Sequence, residues 1–168
     1  MKHNIKLFFI FGFIFIISAC ATPAFNTTHV NKTLTPNSAI NSFSLTKNQY
    51  VLWGGTLLSG INLKDSTELE ILAYPLDDYS EPIENSKSFG RFIAIDSGYL
   101  ELGEYAKDRQ ISFVGQLVEL RKGKVGDSDY VYPVIAIQQI KLWPIEKDIY
   151  YDDPDVRFHF GVGIFHRY

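Results

Sequence analysis

Alternation of apolar and polar positions predicts β-strands through the middle of the chain. In residues 67–76, two glutamates alternate with Leu69, Ile71 and Ala73, as in a strand that buries one face. Runs rich in Tyr, Phe, Ile and Val favour β structure elsewhere too. They predict four further strands, at residues 50–63, 89–96, 111–120 and 130–143.

The number of strands and the glycines within them favour a barrel. Gly54 and Gly55 interrupt the first strand, at a position where the wall of a small barrel would bend. A short helix is predicted at residues 100–108, between the third and fourth strands, although Gly103 is unfavourable within it. The predicted fold class is mainly β: a five-stranded OB-like barrel with one short helix. A two-sheet sandwich is the alternative.

The N-terminus has the three parts of an export signal. Lys2 and Lys6 carry the only charges among the first 19 residues, and residues 7–17 form an apolar run. Eleven residues are too few to span a bilayer as a helix, which needs about 20. The length fits the apolar core of a cleaved signal peptide. Two small residues follow the run and precede Cys20, the only cysteine in the chain.

The tetrapeptide Ile17-Ser18-Ala19-Cys20 resembles the bacterial lipobox, in which the thiol is acylated and becomes the new N-terminus. This chemistry needs a strong nucleophile, and a thiol is the most nucleophilic side chain available. Two or more acyl chains make the anchoring stable. The alternative is an ordinary secretory cleavage beside a buried free cysteine. Ala21, in place of an aspartate, favours the outer membrane.

These signals divide the chain into four parts. Residues 1–19 are a lipoprotein signal peptide, and residues 48–146 form the OB-like domain. Residues 20–47, rich in Asn, Thr and Ser, are predicted to be a flexible lipidated tether because they bury little apolar surface. Residues 147–168 form an aromatic C-terminal tail.

Charge and motifs exclude several classes of function. After removal of residues 1–19 the net charge is −5, without the basic surface of a nucleic-acid-binding protein, so no nucleic-acid partner is expected. Asp77 and Asp78 are adjacent, and in an extended chain they would point to opposite faces rather than converge on a substrate. The acidic residues 152, 153 and 155 suit a hard cation but fit a solvated turn better. No enzyme, cofactor or metal is predicted.

Aromatic residues are the remaining candidates for contacts with a ligand or a partner. Trp53 and Trp143 are interpreted as core anchors, with ligand contact as the alternative. In the tail, Phe158, Phe160 and Tyr168 share one face of a predicted strand. This strand is expected to pack on its own domain. The alternative is that it adds to the sheet edge of an envelope protein partner.

Short motifs occur in an order that resembles the Slp family of outer-membrane lipoproteins. They are Val51-Leu52-Trp53-Gly54-Gly55, Tyr74-Pro75-Leu76-Asp77, Gly90-Arg91-Phe92, Gly98-Tyr99-Leu100, Gly123-Lys124-Val125-Gly126, Tyr132-Pro133-Val134 and Leu142-Trp143-Pro144. The resemblance implies a non-enzymatic lipoprotein of the outer membrane that is linked to envelope maintenance under starvation or stress. We expect its domain to face the periplasm. It offers no catalytic residue.

A second hypothesis makes the barrel a lipid-anchored binding module for a small envelope ligand, such as a glycan or a lipid fragment. A filled barrel would favour the structural role. A pocket lined by Trp53 or by tyrosines would favour binding, since ligand sites combine apolar walls with a few polar groups.

Overall fold

The structure, a computed structural model, describes residues 23–145. The predicted signal peptide, Cys20 and the tail with Phe158, Phe160 and Tyr168 lie outside these residues. The chain forms β1 (Val30–Asn31), α1 (Pro36–Thr46), β2 (Tyr50–Asn62), β3 (Thr67–Ala73), β4 (Arg91–Asp96), β5 (Gln110–Val125) and β6 (Ser128–Leu142).

Five strands close into a barrel. Their order is β2-β3-β4-β6-β5, and β5 pairs back with β2 to complete the ring. β4 and β6 are parallel, whereas the other pairs in the ring are antiparallel. β1 is an extra strand that pairs in parallel with β2. The predicted mainly-β, five-stranded barrel is therefore confirmed, and the sandwich is not observed.

The barrel interior is filled by the alternate residues that the sequence pattern placed inside. Leu69, Ile71 and Ala73 of β3 are buried, as predicted. Gly55 of β2 has no room for a side chain, because a Cβ there would lie 1.9 Å from the carbonyl oxygen of Leu72. The glycine thus allows β2 and β3 to approach closely. The other large buried residues in the core are Val51, Trp53, Leu57, Phe92, Ile111, Phe113, Leu117 and Ile135.

The helix lies elsewhere than predicted. Residues 100–108 form turns, consistent with the unfavourable Gly103, so the predicted helix there is wrong. The helix observed is α1, before the first barrel strand. Thr35 caps it by accepting a hydrogen bond from the backbone N–H of Ser38 at 3.2 Å, and Pro36 occupies the first turn. Good capping offsets the low helix propensity of the Asn and Ser residues, because of which this helix was not predicted.

The described part of the predicted tether packs on the barrel. Phe25 and Leu34 are buried and β1 is paired, so residues 23–47 belong to the domain. Buried apolar side chains and backbone pairing together fix this otherwise polar segment.

Both ends of the barrel are covered. The backbone N–H of Asn37 in α1 donates to Phe89 at 3.1 Å, just before β4 begins. Gly90, with φ of +89°, makes this approach possible, because a Cβ would lie 2.1 Å from the Asn37 side chain. Leu100 and Leu102 pack against the core after β4 ends. The helix and the turns therefore close opposite ends.

Candidate functional site

Trp53 anchors the core and also fixes the N-terminal segment. Its side chain is only 4% exposed, and its ring lies edge-on to Phe92, 5.2 Å between centroids. Its indole N–H donates to the carbonyl oxygen of Leu34 at 2.6 Å. The interpretation of Trp53 as a core anchor fits this geometry, since a buried tryptophan needs a partner for its N–H.

Trp143 covers the outside of the barrel wall. It is 5% exposed, and its indole N–H donates to the hydroxyl of Ser112 at 3.0 Å. That hydroxyl donates in turn to the carbonyl oxygen of Ser80 at 2.6 Å. The ammonium of Lys141 lies 3.6 Å from the centre of a Trp143 ring, within cation–π range. Trp143 thus helps to hold residues 74–88 against the barrel.

A cleft with a volume of about 280 Å³ lies outside the barrel, next to Trp53. One wall comes from the N-terminal segment and the other from the start of the loop after β3. This volume is close to the lower limit of small-molecule sites, about 300 Å³. Its walls combine aromatic and charged side chains, and include Lys32, Leu34, Trp53, Tyr74, Asp78 and Phe89.

The carboxylates beside the cleft do not form a catalytic pair. Asp77 Oδ1 accepts the backbone N–H groups of Tyr79 and Glu81 at 2.9 and 2.8 Å, which makes it the centre of a turn. Asp78 is exposed. Within residues 23–145, no three His, Cys, Asp or Glu side chains are grouped as metal ligands.

Ion pairs lie on the outer side of β3 and β4 and extend to neighbouring parts of β5 and β6. This surface is here called the charged face (Glu68, Glu70 and Arg91, with Arg121 of β5 and Tyr132 of β6). Arg91 Nη1 lies 2.8 Å from Glu70 Oε1, and Arg121 Nη1 lies 2.8 Å from Glu68 Oε2. The Tyr132 hydroxyl lies within hydrogen-bond distance of Glu70 and of the Lys124 carbonyl oxygen, at 3.2 and 3.0 Å.

Protonation on the charged face follows from these contacts. The hydrogen bond to Glu70 raises the pKa of Arg91 above its usual value. Burial tends to lower the pKa of Arg121, but hydrogen bonds to Glu68 and Glu119 raise it overall. Burial raises the pKa of Tyr132, and the neighbouring charge of Glu70 adds to the rise. Both guanidinium groups and the phenol therefore keep their protons at neutral pH.

The cleft was not predicted from the sequence. Four of its fifteen lining residues lie within residues 32–36, which were expected to belong to the tether. The Thr35-Pro36 pair followed by Ser38 was the available signal, because it is typical of a helix start. The alternation of Glu68 and Glu70 with apolar residues correctly placed both carboxylates outside the barrel. It could not identify Arg121 as the ion-pair partner of Glu68, because the two residues are 53 positions apart.

The sequence pattern of the outer membrane lipoprotein Slp family matches residues 17–166. The chain belongs to this family. The resemblance found in the sequence is therefore confirmed, and the chain is that of an outer membrane lipoprotein. Among residues 23–145, no helix is both long and apolar enough to cross a bilayer.

Curated relatives match most of the chain. An uncharacterized protein of Haemophilus influenzae is 30% identical over 157 residues, which cover 92% of this chain and 85% of the relative. Outer membrane protein Slp of Escherichia coli is 26% identical over 136 residues, which cover 79% and 72% respectively.

Solved structures give weaker matches. The mitochondrial single-stranded DNA-binding protein Rim1 of S. cerevisiae has a TM-score of 0.38 at 13% identity, covering 57% of this chain and 95% of Rim1. A small single-stranded DNA-binding protein of Streptomyces coelicolor has a TM-score of 0.35 at 10% identity, covering 56% and 94%.

Proposed function

We propose that acyl chains on Cys20 anchor the barrel to the outer membrane, where it faces the periplasm and supports the envelope under starvation or stress without enzymatic activity. The observation that carries this proposal is the family match, which begins at residue 17 and so includes Cys20. Acylation supplies an anchor without a transmembrane helix.

The filled barrel supports a structural role. Phe92, Phe113 and Leu117 are fully buried, so side chains rather than a ligand occupy the interior. Asp77 and the two arginines of the charged face are engaged in turns and ion pairs. Such groups stabilise the domain and are poorly placed for acid–base chemistry on a bound substrate.

Replacement of the acylated residue tests the proposal. Wild type is expected to show a mass increased by the acyl chains and to fractionate with the outer membrane. Cys20→Ala is expected to lose both properties, whereas the exposed-site control His29→Ala keeps them. Survival of a deletion strain in stationary phase, restored by wild type but not by Cys20→Ala, tests the stress role. An unmodified Cys20 would overturn the proposal.

The cleft beside Trp53 supports a second candidate function, the binding of a small envelope ligand. Aromatic walls with Lys32 and Asp78 at the rim suit a glycan or a lipid fragment. We expect peptidoglycan disaccharide fragments or lysophosphatidylethanolamine to change the fluorescence of Trp53. Tyr74→Ser should remove this change and Tyr99→Ser should keep it. No change with wild type would argue against this candidate.

A further inference from the structure

The N-terminal segment is fixed to the barrel almost immediately after Cys20. Phe25 is only 5% exposed. The backbone N–H of Asn26 donates to Gln139 Oε1 at 3.0 Å, and Gln139 Nε2 donates back to the Asn26 carbonyl oxygen at 3.3 Å. From Phe25 onward, the segment therefore has a defined place on β6.

Covalent geometry limits how far this place can be from the membrane. Phe25 follows Cys20 by five residues, which span at most about 17 Å when fully extended. A domain of this size has a radius of gyration of about 14 Å. This limit on the distance to the membrane rests on the proposed acylation of Cys20, which would hold that residue at the lipid surface. The span is then too short for the barrel to turn freely, so the side around Phe25 has to lie nearest to the membrane.

That side is here called the anchor face (Pro23, Ala24, Phe25, Lys32, Tyr79, Lys141), whose residues line one groove. The Tyr79 side chain is 69% exposed. Its turn is held by Asp77, and through Ser80 it is tied to Ser112 of β5. A rigid turn thus presents an exposed aromatic ring next to the place where the chain enters the domain.

The chemistry of the anchor face suits a phospholipid surface. Tyrosine is enriched where membranes meet water, because its ring is apolar and its hydroxyl is polar. Lys32 can direct its ammonium group to headgroup phosphates while its apolar stem lies along the surface, whereas the Lys141 ammonium lies over the Trp143 ring. Asp78, in the same groove, offsets one of these charges. Contact should therefore depend more on the short connection to Cys20 than on net charge.

We propose that the anchor face rests on the phospholipid surface, with Tyr79 at the level of the headgroups. The barrel is then held in one orientation, with the outer side of β6 around Gln139 and Lys141 directed towards the lipid. The membrane partner is thus engaged by the folded domain as well as by the acyl chains.

Two exposed tyrosines allow a matched test. Tyr79→Cys and Tyr99→Cys each add a thiol to the full acylated chain, in which Cys20 is the only native cysteine. Tyr99 is 72% exposed and lies in the turn after β4. Each variant is labelled with a thiol-reactive fluorophore and reconstituted into vesicles of phosphatidylethanolamine and phosphatidylglycerol that carry a headgroup quencher.

Quenching several-fold stronger at position 79 than at position 99 is the expected result. Equal quenching at both positions, or none at position 79, would overturn the inference while intact mass shows Cys20 to be acylated. An unmodified Cys20 would overturn the lipoprotein proposal as well. Circular dichroism of both labelled variants checks that the barrel remains folded, and both sites are exposed enough to expect this.

Discussion

The charged face and the anchor face use their polar groups in different ways. On the charged face, carboxylates are paired within the chain, Glu70 with Arg91 and Glu68 with Arg121. Within residues 23–145, the ion pairs of the structure all involve this face or the adjoining Glu119. On the anchor face, the Tyr79 ring and Lys32 are exposed to solvent.

This difference indicates which surface is available for binding. OB barrels commonly bind ligands on the face made by their second and third strands, here β3 and β4. A ligand on that face would have to displace ion pairs and the hydrogen bond from Tyr132, leaving partly buried charges without partners. The anchor face and the nearby cleft require no such loss. The proposed contacts with a membrane and with a ligand therefore lie on the side that carries the N-terminal segment.

Trp53→Ala should have the largest effect, because it removes contacts both to the strands of the charged face and to the N-terminal segment. The ring packs on Phe92 of β4 and its N–H holds Leu34 of the N-terminal segment. Loss of a buried tryptophan costs about 3–5 kcal/mol. Denaturant titration would measure this, with the exposed Tyr79→Ala as the control, for which about 0.5 kcal/mol or less is expected. A loss below about 1 kcal/mol would contradict the role assigned to Trp53.

Phe25→Ala should loosen the attachment of the N-terminal segment to the barrel and leave the charged face unchanged. Burial of a phenylalanine side chain contributes about 1.5–3 kcal/mol. We expect faster hydrogen exchange at Asn26 and Val30, and unchanged exchange in the paired region between Arg121 and Tyr132. Leu45→Ala, at an exposed position of α1, is the control. Equal acceleration on both sides of the barrel would show that the N-terminal segment is not an independent unit.

The strands were predictable because burial of one face makes apolar and polar residues alternate along the sequence. The bounds of β2, β3 and β4 agree with the predicted strands to within a few residues. β5 and β6 extend further, to Val125 and from Ser128, because residues 121–129 pair as a hairpin although they are charged and glycine-rich. Pairing between strands can extend through residues that carry no hydrophobic signal.

The anchor face was not predictable from local pattern. Its residues come from the N-terminal segment, from Tyr79 in a loop and from Lys141 at the end of β6, and only the folded barrel brings them together. Composition suggested a flexible tether in residues 20–47, since Asn, Thr and Ser bury little apolar surface. Phe25 and Leu34 reverse that expectation for the described part of the segment. A few buried apolar side chains can help to hold a segment on the domain even when its average composition is polar.

Glu70→Ala should weaken the charged face by a smaller amount. It removes the partner of Arg91 and one hydrogen-bond partner of Tyr132. Because the groups are about a quarter to a third exposed, we expect a loss of about 1 kcal/mol. The loss should shrink as salt is added, which thermal unfolding at two ionic strengths would detect. Glu104→Ala, at an exposed site, should show neither effect; a salt-independent loss would point to packing rather than charge.

The smallest effect concerns alkaline pH and the phenol of Tyr132. Burial raises its pKa in the folded state, whereas the unfolded phenol ionises near pH 10. The unfolded state therefore loses its proton first, so this contribution to stability is complete below about pH 10 and is lost as pH rises through the folded pKa. Tyr132→Phe cannot ionise, so its free energy of unfolding should fall less steeply over this range than that of wild type. The exposed Tyr79→Phe should follow wild type, and identical slopes for all three proteins would show that the charged face does not disfavour the phenolate.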